Sequence, residues 1–299
     1  AVMAREEANM RLATQRAFER GVYERAAGLG ETIGHYLQMA ARPRDRARLA
    51  AWVQERMAQA PSGPAVWNVQ QKHAWGLFLS GQAQEALHLL QKQLGEIDAQ
   101  GGDRRQRGLC LRVVGQIFVN AGQPTLALDP VARAIEDFEA VDDDANLSAA
   151  LGDQANALRD LGRLDEALDA AERGVGIDRK LGNKRNEAAG LGQAAEILKD
   201  QHRVGEAETR YQEALKAARE AGDQELEGGL LQHLGTLYRH QGQHAQAVTH
   251  YKEALARFEA AGNRPAEMRT ADLLGTAEND LEHYESARAW YDRARKLAR

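Results

Sequence analysis

Apolar residues recur along this chain at alternating spacings of three and four, in stretches separated by polar breaks. Leu231, Leu234, Leu237 and Tyr238 form one such stripe, and Ala247, Tyr251, Ala254, Leu255 and Phe258 form the next. This spacing predicts two amphipathic helices, each burying one face. Gly242 lies between them and predicts a tight turn, where a residue without Cβ takes positive φ cheaply.

The pair repeats every forty residues. A small residue falls at Gly115, Ala155, Ala195, Gly235 and Gly275, and an alanine opening the second stripe at Ala127, Ala167, Ala207, Ala247 and Ala287. Tyr211, Tyr251 and Tyr291 keep the same register with Ala214, Ala254 and Ala294, and a loop glycine recurs at Gly182, Gly222 and Gly262. An upstream copy places Ala74, Gly81 and Ala86 correspondingly, with a spacing of 41. One hairpin cannot cover its own apolar faces, so such units must stack into a continuous core. Small residues at 235 and 247 let the two helix axes approach, and the Tyr fills the wedge between successive pairs.

These residues resemble the tetratricopeptide repeat in its forty-residue form, over six units from about Ala65 to Arg299. The resemblance implies an all-α, right-handed α-α superhelix of about six to seven helical hairpins. Residues 1–64 read as an atypical segment, a degenerate repeat with an inserted helix, in which Tyr23, Ala26, Leu29, Ile33 and Leu37 mark a helix and Pro43 precedes another. Within it, Glu6-Glu7-Ala8-Asn9-Met10-Arg11 and Phe18-Glu19-Arg20-Gly21 are similar to the start of the helical-repeat sensor of bacterial STAND signal-transduction ATPases. That similarity implies the sensor part of a larger switch. The chain contains no G-x-x-x-x-G-K-[ST] phosphate loop.

Composition narrows the function. With 39 Lys+Arg against 44 Asp+Glu, the net charge of −5 argues against broad nucleic-acid binding, which needs clustered cations. The 43% apolar and 28% charged content suits a folded chain rather than a disordered one. Cys110 is the single cysteine, so no internal disulfide or multi-cysteine zinc site forms, and a cytoplasmic setting is expected. No uncharged run reaches a membrane span.

Chemistry-bearing motifs resolve into structural readings. The GLGETIG run (28–34) lacks the Lys and the preceding strand of a phosphate loop and reads as helix packing. His240 and His244 have the spacing of two helical metal ligands, but the turn at Gly242 separates them. His233 beside Leu234 reads as a partly buried packing residue, Cys110 as a small apolar one, and Asp142-Asp143-Asp144 as a solvated loop. Pro130 should kink its helix, either through drift or to alter curvature near Val131. No cofactor, metal or catalytic constellation is expected.

The resemblance places the first helix of each unit on an inner, ligand-facing surface. The inward positions are six and three before the small residue, then one, four and five after it. They give Leu109, Arg112, Gln116, Val119 and Asn120; Ala149, Gly152, Asn156, Arg159 and Asp160; and Ala189, Gly192, Glu196, Lys199 and Asp200. Gly229, Gln232, Thr236, Arg239 and His240, then Arg269, Asp272, Thr276, Asn279 and Asp280, complete the series. The upstream unit contributes Asn68, Gln71, Trp75, Phe78 and Leu79, a stripe that reads as buried against the inserted helix. The candidate ligand-binding set is Arg112, Gln116, Asn120, Asn156, Arg159, Glu196, Lys199, Gln232, Arg239, Asp272 and Asn279. Its Arg159, Lys199 and Arg239 row is expected to bind ligand while leaving the melting transition untouched when replaced. The expected partner is a protein or peptide segment, or a small effector. A second reading is self-association into a homo-oligomer through an uncapped C-terminal end bearing Leu281, Trp290 and Leu297.

Overall fold

The computed structural model describes residues 2–23, 25, 26, 28, 52, 53, 56 and 63–298. The structure is all-α over these residues. A helix α1 (Val2–Glu19) is followed by hairpins α2 (Pro64–Leu79)/α3 (Ala83–Ala99), α4 (Arg104–Asn120)/α5 (Pro124–Glu139), and α6 (Asp144–Asp160)/α7 (Leu164–Leu181). Then come α8 (Lys184–Asp200)/α9 (Val204–Ala221), α10 (Gln224–His240)/α11 (His244–Ala261), and α12 (Arg264–Asp280)/α13 (Tyr284–Leu297). The helix expected around Leu29–Leu37, the one after Pro43 and most of the GLGETIG run lie outside the described residues. The start of the sensor-like segment, Glu6–Arg11, lies within α1.

The chain divides into two compact units: residues 1–123 with 136–141, and residues 124–135 with 142–299. In the first, Trp67, Ala74, Ala86, Leu90, Ile97, Cys110 and Ile117 form one core. A smaller one joins Phe18, Ala26, Val66 and Val69. In the second unit, a continuous core runs from Val175 through Leu191, Tyr211, Leu231, Tyr251 and Phe258 to Leu274. The forty-residue stripes are this core.

The small positions work as their sequence register demands. A Cβ on Gly235 would meet the Tyr251 ring at 2.8 Å, and one on Gly275 the Tyr291 ring at 2.6 Å. Gly242 takes φ 75 at its turn.

The first helices α4, α6, α8, α10 and α12 start at a second forty-residue register that the apolar pattern does not carry, whereas α2 starts after Gly63 without a side-chain cap. Asp103, Asp143, Asn183, Asp223 and Asn263 are N-caps, each accepting a hydrogen bond from the backbone N–H three residues on. Capping satisfies one of the free donors of a helix start and contributes about 1 kcal/mol per helix. The acidic loop 142–144 is therefore more than a solvated surface, because Asp143 caps α6 at 3.2 Å from the Asn146 amide.

Pro130 is buried within α5, which continues unbroken from Pro124 to Glu139. Leu281 and Trp290 pack, partly buried, against the core of the second unit, and the Arg293 guanidinium lies 5.5 Å over the Trp290 ring. Among the described residues no helix is long and apolar enough to cross a membrane. No group of three or more His, Cys, Asp or Glu there could hold a metal ion.

Candidate functional site

The second unit holds a groove of about 570 Å³ across α6, α8 and α10, reaching down to α7 and α9. Its surface starts from small residues. Gly152, Ala149, Ala189 and Gly229 keep side-chain bulk away, and a Cβ on Gly229 would meet nothing within 4 Å, whereas Gly190 and Gly192 pack closely on Val175 and Leu230. Three helices thus expose backbone and leave room for an elongated guest.

Polar groups border this space. Asn156 Oδ1 accepts from Gln193 Nε2 at 2.8 Å, and the same Gln193 amide donates to the Gly152 carbonyl at 2.7 Å. Glu196 collects Lys199 Nζ at 2.6 Å, Arg159 Nη2 at 3.1 Å, His233 Nδ1 at 3.1 Å and the Tyr211 hydroxyl. Burial opposes the charge on Glu196, but hydrogen bonds from His233, Lys199 and Tyr211 outweigh it and hold this carboxyl far below the usual range. Burial, then the Glu196 charge, pushes the Tyr211 hydroxyl far up, so it stays a neutral donor.

Of the expected ligand residues, Asn156, Arg159 and Glu196 line this groove, and Lys199 reaches it through Glu196. Gln232, Arg239, Asp272 and Asn279 lie on α10 and α12 outside its lining. Gln116 lines a separate groove of about 560 Å³ in the first unit, with Asn68, Gln71, Lys72, Trp75, Leu109 and Val113. Arg112 and Asn120 share its helix α4, where the Asn120 amide donates to the Gln116 carbonyl at 2.8 Å. The Trp75 stripe, read as buried, is thus half-open to this groove, and Leu79 at its end is 69% exposed.

The cation row is not a free ladder. Arg159 Nε sits 2.5 Å from Asp200 Oδ2, and Arg239 Nε 2.7 Å from Asp280 Oδ2. Both pairs span 41 residues and tie each first helix to the next. Lys199 has His240 at the matching position of the next unit, so it turns back to Glu196. Replacing Arg159 or Arg239 therefore touches the stacking of repeats, contrary to the expectation of an unchanged melting transition.

His233 is open to solvent and is not the packing residue its place beside Leu234 suggests. Its side chain is 56% exposed and faces the groove, with its ring stacked on Tyr211 at 6.3 Å and 10°. The inner stripe includes the position two before the small residue, which Gln193 and His233 occupy forty residues apart. That shared spacing was the available signal. Ser148, Asp178 and Asn186 also line the groove without belonging to the stripe.

Residues 186–260 and 227–299 match the tetratricopeptide repeat family. No curated protein sequence matches the chain. Among solved structures, the chain is similar to BtubC (BKLC) from P. vanneervenii, with 18% identity and a TM-score of 0.57, covering 78% of this chain and 91% of that one. It is similar to a Rap protein complexed with competence and sporulation factor, at 14% identity and TM-score 0.57 over 98% of both chains. It also resembles a Signal Transduction ATPase with Numerous Domains (STAND) protein with a tetratricopeptide repeat sensor from Pyrococcus horikoshii. That match has 16% identity and TM-score 0.66, over 93% of this chain but only 45% of the other. At these identities the shared property is the fold: the protein has a tetratricopeptide-type helical-repeat fold, and residues 186–299 carry that family's own signature.

Proposed function

We propose that the protein is a non-enzymatic recognition scaffold whose groove over α6, α8 and α10 takes an extended peptide segment. The observation that supports this most directly is the lining. Glycine and alanine open the helix surfaces, while Asn156 and Gln193 offer both donor and acceptor to a guest backbone. A groove of this size, with a few placed polar groups on an otherwise small-residue surface, suits binding rather than bond-making. The Rap complex, of the same fold, was solved with a bound factor.

The test uses peptides selected on the immobilised chain from a random display library, with affinity measured by calorimetry. Gly229→Trp puts an indole into space that is open, so it should lower affinity at least about tenfold while the melting temperature holds. Unchanged affinity with an intact fold contradicts the groove assignment.

A finer reading is that this recognition unit serves as the sensor of a STAND-type switch, acting in the cytoplasm. The α1 segment that resembles the opening of such sensors supports it, as does the likeness to the Pyrococcus horikoshii protein. In the coding gene, an in-frame nucleotide-binding module upstream supports this reading, and a start codon immediately before Ala1 overturns it.

A further inference from the structure

The repeat built from α6 and α7 departs from its neighbours at two core positions. Where the later repeats place Tyr211, Tyr251 and Tyr291 in the wedge, it has Ala171. Where Phe138 and Phe258 fill the core, it has Asp178. The ring partners vary in step: Gly108 faces Phe138 and Gly228 faces Phe258, each so close that a Cβ would meet the ring at 2.9 Å, whereas Ser148 faces Asp178. The next repeat has Ala188 and Ala218 at this pair of positions and does not refill the volume. The missing rings leave the recess into which the groove descends, between Gly152, Ala171, Gly174 and Gly190.

Asp178 ends that recess. It is 3% exposed, and its Oδ2 accepts from the Ser148 hydroxyl. Its Oδ1 is buried and makes no hydrogen bond. A buried carboxylate oxygen left without a donor carries a desolvation cost of about 1–3 kcal/mol, and more when the group is charged. A group that enters along the groove and donates there removes that cost.

We propose that this recess is a subsite for a primary ammonium group of the bound ligand, a lysine side chain or a peptide N-terminus, with Asp178 Oδ1 as its acceptor. The chemistry favours an ammonium over a guanidinium. Ser148 already occupies Oδ2, which leaves one oxygen for a point-like donor and denies the two-point fork that arginine uses. Gly174 and Gly190 both line the recess without side chains, which suits an unbranched alkyl stem. A Cβ at Gly190 would meet Val175 Cγ2 at 2.8 Å, so the glycine lets α8 pack closely against α7 beside the recess. Burial pushes the Asp178 carboxyl up, opposed by the Ser148 hydroxyl and the nearby Asn186 side chain, and a bound cation would bring it back down.

The subsite rests on the groove reading above, and its test separates the two. The ¹⁵N-labelled chain is titrated with n-butylammonium and, separately, with n-butanol. Shifts at Ser148, Gly174, Asp178, Asn186 and Gly190 with the amine alone, lost in Asp178→Asn, are the expected result. Equal shifts with both probes, no shifts with either, or an amine response that survives in Asp178→Asn overturns the proposal. If Asp178→Asn misfolds, the pair Ser148→Gly and Asp178→Phe recreates the Gly–Phe packing of the α4/α5 and α10/α11 repeats and replaces it. That double variant should melt higher than the parent and ignore the amine. Selected peptides that bind the groove with unaltered affinity in these variants would remove the ammonium subsite while leaving the groove in place.

Discussion

At the scale of single residues, burial decides the chemistry. Cys110 is fully buried, its Sγ 3.5 Å from the Leu90 carbonyl, and burial pushes its thiol up to about 12. The thiolate is the reactive form, so the folded chain should leave a disulfide reagent unreduced for as long as it stays folded. Rapid labelling of the native protein, followed by absorbance, would contradict this. His250 stacks on Tyr238 at 5.2 Å, and burial lowers its pKa below the ordinary value of 6.5. On acidification the unfolded chain takes up this proton first. The contribution of His250 is therefore fully present above about pH 6.5 and is lost as pH falls toward its folded pKa. Melting curves from about pH 7.5 to about pH 5 should converge between parent and His250→Gln. A constant difference across that window would exclude the linkage.

Residue-scale chemistry was only partly legible in the sequence. The neutral, inert Cys110 followed from its place on an apolar stripe. The open face of His233 did not, because its neighbour Leu234 is buried and the two lie about 100° apart on the helix. Asp178 was invisible as a site because its meaning comes from what its counterparts Phe138 and Phe258 do, and from a hydrogen bond that only coordinates reveal.

At the scale of elements, helix pairing depends on small residues at the crossing. Gly235→Leu forces a branched side chain against Tyr251 and Ala247, and should cost about 1–3 kcal/mol, seen as a lower melting temperature. Leucine at Gly229 faces open space and should leave stability level or raise it, since leucine is the better helix former. Equal effects at both glycines would mean that intrinsic propensity, not packing, governs these positions. Helix existence and pairing were readable because the apolar stripe and the turn glycines share one register. The N-caps share it too, at Asp103, Asp143, Asn183, Asp223 and Asn263, but a polar residue in a polar loop gives no contrast to the pattern of burial.

At the scale of the whole molecule, the second unit is held by apolar stacking, supplemented by ion pairs that step from one repeat to the next. Arg159 reaches Asp200 and Glu196, Arg210 reaches Glu172, and Arg239 reaches Asp280. Such half-buried pairs contribute modestly, so Arg239→Ala should cost about 1 kcal/mol or less. Arg159→Ala should cost more, because it also withdraws a cation from the buried Glu196. Calorimetric melting of the two variants checks the order, and a larger loss in Arg239→Ala would contradict it. The cations of the inner surface were legible as a row, whereas their partners were not. A 41-residue offset between Arg and Asp carries no information until the rise from one hairpin to the next is known.

On the proposed reading, the groove over α6, α8 and α10 is where this protein meets its partner. The most direct measurement is an amide shift map of the ¹⁵N-labelled chain with a library-selected peptide. Perturbations are expected to concentrate at Gly152, Asn156, Gly192, Gln193, Glu196, Gly229 and His233 and to disappear in Gly229→Trp. Perturbations confined to the first unit or to the outer faces of α7, α9 and α11 would contradict that reading.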